Sequence, residues 1–169
     1  MLNTLIYNEK KKLLYNKNFV NIVYALSILV FGFILLNLTF LVYALYNGLI
    51  MGFIGLFINL TPETNIFWLP PLLHLSFLVI IGVISWFIFK SRLKVIYKAV
   101  YLAIPVAVVL VTIGIFLSNF PIILYPLGTL IVLGILFYLY YKKQSWLYYY
   151  TVILFSLILT VYTLMGGEI

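Results

Sequence analysis

Five apolar runs, 19–46, 67–89, 99–118, 122–141 and 146–165, hold no Asp, Glu, Lys or Arg in their interiors, and they constrain this chain more than any other feature. About 20 helical residues at 1.5 Å each cross the roughly 30 Å of hydrocarbon in a bilayer. In that solvent every backbone polar group must be satisfied within the protein, which leaves the helix as the form these runs can take. The expected fold is therefore all-α: a polytopic integral membrane helical bundle of about five transmembrane helices. Composition agrees, with 66% of the 169 residues hydrophobic and 8% charged, where soluble domains carry about 25% charged residues. Mean hydropathy is +1.24.

The formal charge of +7 comes from ten basic residues in three clusters. Lys10, Lys11, Lys12 and Lys17 precede the first run, Lys90, Arg92, Lys94 and Lys98 follow the second, and Lys142 and Lys143 follow the fourth. Basic residues confined to short flanks fix orientation in a membrane, so this charge points to topology and not to nucleic acid. The lead, the loop SRLKVIYK and the turn KKQS are expected on the cytoplasmic or matrix-like side. TPETN, SNFP and the tail GGEI carry no basic residue and are expected opposite, with the N-terminus inside and the C-terminus outside. Three parts follow: a basic, amphipathic lead at 1–18, a single transmembrane domain at 19–165 and a short tail at 166–169. The first run follows a long polar lead and exceeds a signal-peptide core, so it is expected to stay as an anchor.

Residues 19–60 must make an odd number of crossings to connect an inside lead to an outside TPETN. Three crossings would leave roughly 14 residues each, too few to span. One crossing followed by a re-entrant or interfacial segment near 47–60 is the expectation; the alternative makes 39–60 a short span of its own and gives six. Within this segment Gly48, Gly52 and Gly55 recur at i, i+4 and i+7, a small face on which another helix could pack closely. A pore-lining dip is the other reading of the same glycines.

The residues available for chemistry are few. The chain has no Cys, which excludes disulfides and thiolate ligands, and its three acids, Glu9, Glu63 and Glu168, lie outside the run interiors. Self-contained proton pumping and paired-carboxylate catalysis are thereby disfavoured. His74 is the one histidine. Pro70 and Pro71 suit a first helical turn, which puts His74 about one turn inside its span and within roughly 20° of Ser85 on the same face. A packing role is the plain expectation for His74; a quinone contact, or a haem ligand completed by another chain, is the functional one. By itself it cannot make a metal site. The run FWLPPLL resembles a segment of subunit I of the haem–copper oxidases over seven residues, but the histidine ligands that define that family are missing from this chain.

Two polar stripes remain. Tyr101, Pro105, Thr112 and Asn119 share a face of the third span, and Tyr149, Ser156, Thr160 and Thr163 share a face of the fifth. Such hydroxyl lines join helix to helix or form a polar path. Asn37-Leu38-Thr39 and Asn59-Leu60-Thr61 match the glycosylation acceptor pattern, the first inside a span and the second too near the membrane. Aromatic residues from Tyr138 to Tyr150, with Trp86, Tyr97 and Tyr101, are expected at headgroup depth.

These features point to a non-catalytic accessory subunit of a larger membrane complex, with a respiratory or photosynthetic assembly as the expected host. Its partners would be lipid and other integral membrane subunits, contacted through Gly48, Gly52, Gly55, Ser156, Thr160 and Thr163. A small oligomeric transporter for a neutral or lipid-like substrate is the alternative. A third reading is a haem- or quinone-contacting protein centred on His74, with Glu63 near its outer mouth; otherwise no cofactor is expected.

Overall fold

The computed structural model of the chain describes residues 2–56, 69–118 and 120–165. Its elements are α1 (Leu2–Gly55), α2 (Leu69–Lys90), α3 (Val95–Leu117), α4 (Pro121–Tyr141) and α5 (Trp146–Leu164), with no strand among the described residues. All five are long and apolar enough to cross a membrane, the qualifying part of α1 being Asn16–Gly55.

Local chemistry explains the boundaries. Pro70 and Pro71 occupy the first turn of α2, where a missing N–H leaves no hydrogen bond unmade, and Pro121 does the same for α4. At the far end of α2 the Lys98 ammonium reaches back from α3 and donates to the carbonyls of Phe89, at 2.7 Å, and Ser91, at 2.6 Å. A cation thus meets the carbonyls that no helical N–H can reach. Between α4 and α5, Gln144 N donates to Leu139 O and Lys143 N to Tyr140 O, the paired bonds of a Schellman ending. Lys143 holds the left-handed position, with φ 49°, that glycine usually takes there. Ser145 then caps α5, its side chain accepting from Leu147 N.

The turn-back expected near residue 47 does not occur within the described residues, and neither does a break into two spans. α1 stays helical through Gly55, and 57–60 of that segment lie outside the described residues. Isolated glycines cost a helix about 1 kcal/mol each, less than opening unsatisfied backbone groups in apolar surroundings, and no proline interrupts the run. The basic lead, from residue 2 onward, is helical and continuous with α1. The 40 residues of Asn16–Gly55 extend roughly 60 Å, about twice the hydrocarbon thickness.

α3 is the hub, packed against all four other helices. Its buried residues include Ala99, Ala103 and Ala107, four apart, with methyl side chains that let neighbours approach. Ile28 and Leu36 of α1 and Val152, Phe155 and Leu159 of α5 complete that core. The tightest point is Gly32. A Cβ there would stand 2.5 Å from Phe155 Cζ, 2.8 Å from Phe155 Cε2 and 3.6 Å from the Ala103 methyl. A second cluster, Phe77 and Ile81 on α2 with Ile104 and Val108 on α3, fixes α2. α4 lies at the edge, touching α3 and α5, and much of its surface is exposed.

The Phe155 ring is fully buried and cannot swing aside, so Gly32→Ala should destabilise the bundle by about 1–3 kcal/mol, the usual cost of overpacking. Thermal unfolding in detergent measures this, and a wild-type midpoint would contradict the three-helix contact. In the same assay Lys143→Gly should raise stability by about 1 kcal/mol by relieving a left-handed backbone.

Candidate functional site

His74 projects from the first turns of α2 toward α1. It is buried at 8% exposure, its ring centroid lies 4.2 Å from that of Tyr43, and Nδ1 has no hydrogen-bond partner. Tyr43 also meets Phe77 edge-on at 5.2 Å, and Tyr46 approaches the same ring at 5.8 Å. α1 and α2 therefore meet through aromatic side chains. A polar bond also crosses between them, Tyr46 OH to Ser76 Oγ at 2.7 Å. Because Ser76 gives its own proton to Leu73 O, the phenol is the donor.

Ser85 shares the buried face of α2, as the helical spacing predicts, but does not join His74. Eleven residues separate them, about 16 Å along the axis. Ser85 donates to Ile81 O and receives the Tyr101 hydroxyl at 3.2 Å, tying α2 to α3. The stripe of α3 also divides: Tyr101 turns to Ser85, Thr112 bonds to Val108 O of its own helix, and Asn119 lies outside the described residues. Among the described residues, no three of His, Cys, Asp and Glu gather where they could hold a metal ion.

The stripe of α5 does converge. Ser156, Thr160 and Thr163 line one wall of a cleft of about 270 Å³ between α3, α4 and α5. Leu110, Val111 and Gly114 form the α3 wall, and Tyr125, Gly128, Thr129 and Val132 stand across from them on α4. The volume approaches the roughly 300 Å³ at the lower end of small-molecule sites. Six hydroxyls among the described residues are already committed: Thr39, Ser85, Thr112, Thr129, Thr151 and Thr160 each donate to the carbonyl four residues back. Ser156 is different. Its Oγ is buried and has no partner, and at 100° per residue Ser156 stands between Thr160 and Leu159 on the cleft side of α5.

Gly48 and Gly52 of the glycine face of α1 meet nothing among the described residues. A Cβ at Gly48 or Gly52 would have no atom within 4 Å. Sequence reasoning missed the α4 wall and the close approach at Gly32. Gly128 and Thr129 flank the face that Tyr125 and Val132 share, a weak signal, while Gly32 sits alone in an aliphatic run and gives no signal until Phe155 is opposite it.

Removing Ser156 Oγ deletes an unpaired polar atom, so Ser156→Ala should leave thermal stability unchanged or slightly raised. Ser85→Ala, which strands the Tyr101 hydroxyl, should lower it by on the order of 0.6–2 kcal/mol. Melting both variants in one detergent checks the contrast; equal losses would mean that Ser156 is bonded after all. Compared with protein-family models, curated proteins and solved structures, the chain matches none of them.

Proposed function

We propose that this chain is a multi-pass integral membrane protein acting as a non-catalytic helical subunit of a larger membrane assembly. Its N-terminus lies on the cytoplasmic or matrix-like side and its C-terminus on the other. The observation that carries this reading is the outer portion of α1. Contacts of Gly32 with Phe155, and of Tyr43 and Tyr46 with His74 and Phe77, set about residues 28–46 alongside the other helices. Beyond them α1 continues for more than two turns with Leu49 at 74% exposure and with open space among the described residues at Gly48 and Gly52.

A helix with that surface is suited to pack against transmembrane helices of other subunits, because glycine lets backbones come close and dispersion then holds them. Charge supports the orientation. The connections at 91–94 and 142–145 fall at one end of the antiparallel helices, and with Lys90, Lys98, Lys142 and Lys143 they gather the basic residues there.

Purification in mild detergent should recover other membrane polypeptides in fixed ratio. Gly52→Leu should reduce that recovery much more than His74→Ala while leaving the melting of the isolated chain unchanged, since a Cβ at Gly52 meets no atom of the described residues. Equal recovery from both variants would count against the subunit reading. Cysteines placed at positions 63 and 94 should label from opposite sides of the membrane; labelling from one side would reverse the topology.

A further inference from the structure

We propose that the α2–α3 and α4–α5 turns together form one binding surface for the phosphate of an anionic phospholipid. The inference rests on the membrane placement and orientation proposed above and is independent of the subunit role.

The two turns are neighbours. Phe89, just before the first, meets Tyr148, just after the second, with ring centroids 6.4 Å apart. Beneath them Ala99 and Val100 at the start of α3 share one buried core with Leu139 and Leu147, which flank the second turn. Lys90, Arg92 and Lys94 therefore belong to the same surface as Lys142 and Lys143, and all five are exposed.

This charge has no carboxylate to balance it. Residues 69–165 contain no Asp or Glu, and Glu63 and Glu168 fall on the other side of the membrane in the orientation proposed. Glu9 is on the same side but distant. Gly32 of α1 meets Ala103 and Phe155, which stand nine and ten residues beyond Lys94 and Ser145, so the turns are level with about residue 23 of α1. Glu9 is a further 14 residues along that helix, roughly 20 Å, or more than two Debye lengths at physiological salt.

Orientation in a membrane requires only a sufficient number of Lys and Arg. Here two of the ammonium groups are also seated on rings. Lys90 Nζ lies 4.8 Å from the centroid of Trp86, and Lys142 Nζ 5.7 Å from that of Tyr141. A ring face holds an ammonium from one side and leaves its N–H donors to an anion on the other. Lys98, by contrast, gives its donors to the carbonyls of Phe89 and Ser91. Trp86, Tyr141 and Trp146 are exposed beside the cations, so the partner that fits carries negative charge next to hydrocarbon. A free phosphate brings nothing apolar to those rings. A phospholipid puts its phosphate at the level of the ammonium groups and its acyl chains along the rings.

The test uses the full chain reconstituted in phosphatidylcholine vesicles, with Trp68→Phe so that emission comes from Trp86 and Trp146 beside the two turns. Brominated phosphatidylglycerol and brominated phosphatidylcholine quench that emission as they occupy the sites next to the rings. Each engaged cation should favour the anionic lipid about fivefold, so phosphatidylglycerol should bind roughly five- to twentyfold more tightly than phosphatidylcholine, and 1 M NaCl should reduce that preference at least about twofold. Arg92→Gln with Lys94→Gln, and separately Lys142→Gln with Lys143→Gln, should each cut the preference about fivefold, while Arg92→Lys with Lys94→Arg keeps it; thermal melting checks that each variant is folded. The wild-type preference and its salt dependence require no substitution in either turn. Equal binding of the two lipids, a preference that neither pair of substitutions changes, or one that responds to a single turn would overturn the proposal. So would photocrosslinking from position 92 or 143 in native membranes that captures a polypeptide in place of phospholipid. Release of the chain on alkaline extraction, or labelling of positions 63 and 94 from one side, defeats the membrane placement and orientation. A retained chain of the expected orientation that shows no lipid preference defeats this proposal alone.

Discussion

Close approach at a single three-way contact holds this fold together. Gly32 of α1, Ala103 of α3 and Phe155 of α5 meet where one helix has no side chain, the next a methyl and the third a full ring. Among helices this apolar and this short of cross-helix polar bonds, association depends on how many atoms reach van der Waals distance. Small residues on two helices make room for the large one on the third. From that point Ile28 and Leu36 pack outward along α1, and Ala99, Ala107, Val152 and Leu159 extend the same core. α4 contributes little to it and stands apart, which is why a cleft forms on that side and not between α1 and α3.

Much of this architecture was legible in the sequence because its signals are local. Pro70 and Pro71, Pro121 and the basic turn at Lys142 and Lys143 mark helix ends within a few residues of where they occur. Uninterrupted apolar runs gave the helices between them. The difference over 47–55 has a physical source: crossing arithmetic assumes that a helix ends where the bilayer does, yet nothing in NGLIMGFIG compels an end, and α1 continues through Gly55. Side-chain pairing was less legible. The stripe of Ser156, Thr160 and Thr163 could be read from one helix, but its cleft depends on α4, whose residues face α5 only after three helices have chosen their rotations.

The polar side chains divide by what they can reach. Serine and threonine are short, and most bend back to their own helices, where they add nothing to association. Tyrosine is long enough to cross. Tyr46 and Tyr101 each hand a proton to a serine on the facing or adjoining helix that has already given its own away, so Ser76 and Ser85 act as relays between a phenol and a carbonyl. Both arrangements bind α2, which lacks the small-residue contacts of α1 and α5. Two forms of attachment thus coexist, steric fit on one side of α3 and directed hydrogen bonds on the other.

The contact at Gly32 also joins positions 123 residues apart in the chain. At about 5–20 residues per second, a ribosome needs roughly 6–25 s after making Gly32 before it reaches Phe155. The Ala103 methyl follows Gly32 after roughly 4–14 s, so the nascent α1 meets the small partner first and waits longest for the ring that fills the space between them.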